Sequence, residues 1–434
     1  MSKLKGVTRI TAALLAFLGL EMSVALGLGS GLASAAEGDW PQWLGPDRSG
    51  AIPAPVKWSP SWSGRPRIAW TAQVGVGYSS VAVAAGKAYT MGAAQGEETL
   101  YAFDALSGKR LWAQTYPAKL VDKLHQGGPS STPTVDGERV LSLSKDGKLF
   151  AWDASSGQRL WGADLHQDLG LKLPEWGFTS SPLVLGDRVI VDVGPTLAVD
   201  RATGRIAWKS KLHKPAYSSP VAFQHQGKTR LASLNSDGLV VLDAQDGREL
   251  AFAEWRTAYD TNAATPLVVG DRIYISTGYE RGHALFRFTG SGLEKVWENK
   301  ALANHMNNSV LVDGHLYGFD GNGHSGGPKS RTFLVCVELD TGRELWRHQG
   351  LGCGSLIAVG GTLVILSDWG ELVTARATPE GYKPLSQAKV TGPERFTSRN
   401  PCWTSPAAAQ GLVYVRDTQG KLVCVDLRAG DAAR

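Results

Sequence analysis

Short runs in which apolar and polar residues alternate fill the chain, and Gly, Asp, Asn or Ser punctuates nearly every break between them. The clearest run reads Ala102-Phe103-Asp104-Ala105-Leu106-Ser107-Gly108-Lys109-Arg110-Leu111-Trp112. A period of two predicts a strand on each side of an Asp-x-x-Ser/Thr-Gly turn, so the run is a β-hairpin whose outgoing strand carries Trp. Gly supplies the positive-φ turn position, while the Asp and Ser/Thr side chains bond the turn amides. The same sentence returns as AWDASSGQRLW, AVDRATGRIAW, VLDAQDGRELA and CVELDTGRELW, ending at Trp161, Trp208, Ala251 and Trp346. A small residue precedes the acid by two positions (Ala102, Ala151, Ala198, Val241, Cys336, Cys424), which predicts that each indole slots against a neighbouring repeat.

Marked by their acids, the copies fall at Asp104, Asp153, Asp200, Asp243, Glu338 and Asp426, the first four separated by 49, 47 and 43 residues. Degenerate copies, ALFRFTGSGLEKVW ending at Trp297 and ELVTARATPEGYKPL around Arg376, fill the wide gaps and bring the count to eight. A second marker runs in phase with the first: each unit opens on Ser, Thr or Asn before an apolar strand, as in SSVAV at Ser79, SSPLVL at Ser180 and NNSVLV at Asn307. Each unit then reads strand, turn, strand, turn, strand, Asp-Gly turn, Trp strand. This predicts an all-β fold, an eight-bladed β-propeller of four-stranded antiparallel blades. The last unit lacks its outgoing strand, and RIAWTAQV near the start supplies an unpaired one with Trp70, so the N-terminal strand is expected to close the ring. The structural indoles are then Trp70, Trp112, Trp161, Trp208, Trp297 and Trp346.

The repeat occupies 65–430 of 434 residues, leaving 1–35, an arm at 36–64 and a tail at 431–434. Lys3, Lys5 and Arg9 ahead of an apolar stretch, with Ala33-Ser34-Ala35 after it, predict a cleaved export signal and a periplasmic or extracellular protein. Glu21 interrupts the stretch and argues against a membrane span that survives cleavage. The arm carries Trp40, Trp43, Trp58 and Trp62, too aromatic for a linker, and is expected to pack across the propeller surface. With 45 basic and 40 acidic residues the charge is too mixed for a nucleic-acid partner. The four cysteines have neither a C-x-x-C pair nor zinc spacing. Cys336 and Cys424 are expected as buried thiols, Cys353 and Cys402 as a candidate disulfide, and no metal site is expected.

The A-x-D-x-x-T-G-x-x-x-W sentence resembles the tryptophan-docking motif of the pyrroloquinoline-quinone-type propellers. That superfamily holds quinoprotein alcohol dehydrogenases and the propeller lipoprotein of the outer-membrane barrel assembly machinery. DWPQWLGPDRSG, WGFTSSPLV, YDTNAATPLV and NHMNNSVLVDGHLYGFDGN resemble the secreted repeat proteins of planctomycetes and related bacteria. The resemblance implies the fold and leaves the chemistry open. The dehydrogenases would imply pyrroloquinoline quinone with calcium, under a vicinal disulfide and beside a catalytic Asp. This chain has no Cys-Cys pair and no C-x-x-C-H. Asp260 and Glu175 are isolated loop carboxylates, which usually cap turns or face solvent, and Asp320-Gly321-Asn322-Gly323-His324 resembles a calcium loop only faintly. No H-E-x-x-H motif supports metal-assisted hydrolysis.

In such a blade the links entering the inner strands and those joining the second and third strands emerge on one face. They place Tyr78, Gln126, Trp176, Phe178, Tyr217, Asp260, Asn262, Arg281, His305, Asn307, Asn308, Trp369 and Trp403 around the mouth of the channel, with Tyr259, Asn235, His283 and Asn322 nearby. The expected function is a monomeric, exported, non-catalytic scaffold without a cofactor, binding an envelope protein, a peptide or a small polar ligand. The alternative is a quinone-dependent alcohol or sugar oxidoreductase.

Overall fold

A computed structural model describes residues 38–429 apart from 55, 124, 324–326, 328, 329, 395, 396 and 398. The segment read as an export signal, the tail and His324 lie outside the described residues. Eight four-stranded antiparallel blades follow one another: blade 1 (82–117), blade 2 (134–164), blade 3 (183–209), blade 4 (221–254), blade 5 (267–299), blade 6 (310–349), blade 7 (355–389, to which Ala51–Ile52 adds a fifth, parallel strand) and blade 8 (407–426, completed by 67–73). First strands of successive blades touch around the axis, so they line the central channel. The described helical elements include one turn at Leu165–Asp168 and a 3₁₀ turn at Ala258–Asp260, and no described helix is long and apolar enough to cross a membrane.

Closure is as expected. Arg67–Gln73 pairs antiparallel with the last strand, Lys421–Asp426, and sets Trp70 opposite Cys424. The small residue of the motif is thus the cross-strand partner of the indole in the same blade, as in Ala102 opposite Trp112, Ala198 opposite Trp208 and Cys336 opposite Trp346. The ring itself crosses to the next blade. Trp70 Nε1 donates to Ala105 O at 2.9 Å, Trp112 to Ala154 O at 3.2 Å, Trp161 to Arg201 O at 2.9 Å and Trp297 to Leu339 O at 2.9 Å. In the receiving turn Asp104 accepts from Ser107 N at 2.8 Å and Ser107 Oγ at 2.7 Å. The turn Gly is required twice over. Gly247 has φ +74°, and a Cβ there would come within 2.4 Å of the Trp208 ring.

The Ser/Thr/Asn openings form a second ring of bonds around the channel. Ser80 N donates to Thr132 Oγ1 at 3.1 Å, Thr132 N to Ser181 Oγ at 2.9 Å, Ser181 N to Ser219 Oγ at 2.9 Å and Thr265 N to Asn308 Oδ1 at 2.7 Å. Each opening residue satisfies an amide that the neighbouring inner strand leaves without a ladder partner.

The first part of the arm, 38–52, plugs the channel, and only its later part, 59–62, packs across the outer side of blades 7 and 8. Gly38 O accepts from Gln410 N at 3.1 Å, Trp40 bridges Val83, Pro41 O accepts from Val135 N at 2.8 Å, and Ala51 pairs with Ala358. Trp43 Nε1 donates to Thr265 Oγ1 at 2.9 Å, Gly50 abuts Val310, and Arg48 reaches the carbonyls of Ser181, Pro182 and Pro220. These contacts touch all eight blades.

All four cysteines are free and buried, so the candidate Cys353–Cys402 disulfide is not formed. The two thiols have separate surroundings: Cys353 Sγ meets Asn307 Nδ2 at 3.6 Å and Gly321 O at 4.0 Å, while Cys402 Sγ lies against Gly392.

Candidate functional site

Because the arm stops the channel, the face bearing the inner-strand links holds a blind cup of about 540 Å³, a size that suits a small ligand or a few residues of extended chain. Seven of the sequence-predicted residues line it: Tyr78, Gln126, Trp176, Tyr217, Tyr259, His305 and Trp403. Two aromatic walls result. One runs Tyr78, Trp403, His125, Trp176, with ring centroids 6.2, 4.7 and 5.9 Å apart. The other runs Tyr259, Tyr279, His305, at 5.1 and 4.8 Å, and His305 Nδ1 accepts from Gly323 N at 3.1 Å. Tyr217 lies between the walls, and burial pushes its phenol up to about 12. Trp43 belongs to the lining from the arm side.

Tyr259 stands out on the rim at 74 % exposure, on a backbone where it and Asp260 both adopt positive φ, 61° and 57°. Two successive left-handed non-glycine residues are costly, and the surrounding loop holds them. Asn262 does the holding: its Nδ2 donates to Asn235 O at 2.7 Å and Trp255 O at 2.8 Å, and its Oδ1 accepts from Thr257 Oγ1 at 2.8 Å.

Seven expected site residues are therefore placed elsewhere. Asn262 is fully buried as this loop anchor, and Phe178 is buried in the core shared by blades 2 and 3. Asn307 donates to Gly354 O at 3.0 Å and Asn308 belongs to the inter-blade ring, so both hold blades together. Arg281 stacks 3.4 Å over Trp255 and pairs with Glu298 at 2.6 Å. Asp260 pairs with Lys214 at 2.5 Å outside the lining, and Trp369 sits on a turn of blade 7 beside Gly392. Asn235, His283 and Asn322 are likewise spent on Gly238 N, Asn299 and Tyr279 N. Each of the asparagines finds an unpaired backbone group closer than the cavity, while Arg281, Asp260 and His283 find side-chain partners.

Residues that sequence reasoning missed are His125, Lys145, Tyr279 and Trp43. The four-Trp arm carried a signal for Trp43. Lys145 carried none, since a Lys beside an Asp-Gly turn ordinarily faces solvent, whereas here it is 3 % exposed with Nζ donating to Gly128 O at 2.6 Å. Burial pulls its ammonium down to about 8, against the pull of Glu98, and burial raises Glu98 to about 7.

A calcium-held quinone does not fit these donors. The lining contains one carboxylate, Glu175, engaged by Lys123 at 3.0 Å. Among the described residues no three His, Cys, Asp or Glu side chains converge for a metal. Asp320 is occupied by Ala303 N at 3.0 Å and by Arg347.

Solved structures share this architecture. BamB from Moraxella catarrhalis aligns with TM-score 0.59 at 16 % identity, over 83 % of this chain and all of that one. Quinohemoprotein alcohol dehydrogenase from Comamonas testosteroni aligns with TM-score 0.63 at 14 % identity, over 93 % of this chain and 82 % of that one. Europium-containing methanol dehydrogenase aligns with TM-score 0.55 at 12 % identity, over 87 % and 89 %. At such identities the likeness is one of fold. No curated protein matches the chain in sequence. Residues 96–348, more than half of the chain, match the family described as outer membrane protein assembly factor BamB, and the chain belongs to that family of quinone-type repeat propellers.

Proposed function

We propose that this chain is an exported, non-catalytic binding scaffold of the cell envelope, and that its cup takes an extended segment of a polypeptide partner. The observation that carries the reading is the blind aromatic cup with Tyr259 held out over its rim. Flat rings on both sides offer contact area to an extended chain at little entropic cost, and Tyr and Trp are the residues on which binding energy concentrates. Family membership supports a scaffold role, and export rests on the character of residues 1–35. Glu175, the one carboxylate in the lining, is exposed and paired with Lys123.

The test is a titration of the full chain with a panel of extended peptides, read by tryptophan fluorescence and calorimetry. Tyr259→Ala and Trp176→Ala are each expected to weaken the best peptide by about tenfold or more while leaving the melting temperature within a few degrees. Saturable binding of pyrroloquinoline quinone with calcium, followed by dye reduction on an alcohol, would overturn the non-catalytic reading.

A further inference from the structure

Below its aromatic walls the cup is lined by hydroxyl and ammonium donors, and two buried cations stand at or just behind that lining. Ser181 Oγ and Ser219 Oγ each accept an inter-blade amide at 2.9 Å, which leaves their hydroxyl protons to donate elsewhere. Just behind this lining lies Arg48, 2 % exposed, bonded to Gln42 Oε1 at 3.0 Å and to the carbonyls of Ser181, Pro182 and Pro220. Carbonyls orient a guanidinium without neutralising it, and burial lowers Arg48 to about 9. On the blade 2 side, Lys145 spends one N–H on Gly128 O and keeps two. Its nearest acid, Glu98, accepts from Tyr116 Oη at 3.1 Å and Lys145 N at 3.2 Å, and with its carboxyl raised to about 7 it is only partly ionised at neutral pH. Among the described residues neither Arg48 nor Lys145 forms an ion pair. Two buried cations facing one solvent-exposed, already paired carboxylate, Glu175, make the interior of the cup attractive to an anion, and low polarisability magnifies the effect.

We propose that the cup selects for a carboxylate, seated on the Ser181–Ser219–Lys145 floor with the body of the ligand against Trp176 and Tyr217. Two sources present that chemistry: the C-terminus of an extended polypeptide, and a small organic acid with a flat body. The proposal rests on the cup being a binding site as read above, and the experiment separates the two claims.

The full chain is titrated with three probes: naphthoate, a tripeptide ending in phenylalanine with a free carboxylate, and the same tripeptide amidated. The free peptide is expected to bind about tenfold or more tightly than the amide. Lys145→Met, which keeps the stem and removes the charge, is expected to bring the two within about twofold, whereas Arg48→Lys retains the preference. Should Lys145→Met fail to fold, the acid-to-amide ratio of the unaltered protein decides. Equal binding of acid and amide overturns the carboxylate preference and leaves the polypeptide reading intact. Naphthoate binding with neither peptide upholds the carboxylate and overturns the polypeptide. A preference that survives Lys145→Met overturns the floor assigned here, and silence from all three probes overturns both claims.

Discussion

The seam between blades 4 and 5 and the seam between blades 7 and 8 both lack the tryptophan found at the other six, and they are closed in opposite ways. Ala251 occupies the indole position of blade 4, and the receiving position of blade 5, Ala105 in the first repeat, has become Phe288. Phe288 is fully buried, with Phe223 at 5.9 Å and His225 at 4.8 Å. Volume lost from one side of the seam is thereby returned from the other. In blade 7 the indole position is Ser386, opposite Thr374, and the arm fills the gap. Trp62 N donates to Ser386 Oγ at 2.9 Å, Ser386 Oγ to Trp62 O at 3.0 Å, and Thr374 Oγ1 to Pro60 O at 2.5 Å. Ser59 N then donates at 2.7 Å to Leu427 O, the carbonyl position that takes an indole N–H in blades 1, 2, 3 and 6. One seam is repaired by neighbouring positions of the ring, the other by a segment remote in sequence. The requirement shared by all eight is a filled volume between adjacent sheets, since interiors tolerate exchange of side chains better than they tolerate voids.

The comparison breaks most decisively at the ring closure next to the arm. Deleting 65–75 removes the strand carrying Trp70 and opens an edge on blade 8, so the cooperative melting transition is expected to disappear or fall steeply in calorimetry. An unchanged transition would sever the link between seams and ring stability. Next in size, Phe288→Ala is expected to cost about 3–5 kcal/mol in urea denaturation. Adding Ala251→Trp to that variant should recover a part, with a coupling of about 1 kcal/mol or more in the double-mutant cycle. Additive effects would mean that the two positions do not share one volume. The smallest effect belongs to the recruited seam: Trp62→Ala, a half-buried ring on an arm, is expected to cost about 1–2 kcal/mol. A loss as large as that of Phe288→Ala would show the arm to be as much a part of the ring as the blades are.

Much of this was legible in the chain. Period-two alternation, the Asp-x-x-Thr-Gly-x-x-x-Trp sentence and the spare strand at Trp70 define the blades, their number and their closure. The sequence also marks the two odd seams, in Ala251 and in the degenerate copy around Arg376. The site was half legible. Tyr78, Trp176, Tyr217 and Trp403 stand where the links predict, whereas Phe178 from the same links is drawn into the core of blades 2 and 3. Asn262, Asn307 and Asn308 stand in the same links and turn away, because an amide side chain is claimed by the nearest unpaired backbone group.

What the sequence determines by itself is therefore everything that repeats, since a blade is a local pattern of strand, turn and strand that each unit writes out in full. What only the tertiary structure decides is where the parts that do not repeat are used. The arm of residues 38–62 reads as an aromatic, Pro-rich stretch, yet it stops the channel, sets Arg48 behind the cup and completes the seam at Ser386. Those contacts join residues from 43 (Trp40 and Val83) to 372 (Gly38 and Gln410) positions apart, and most of their partners are backbone groups, which side-chain patterning does not record.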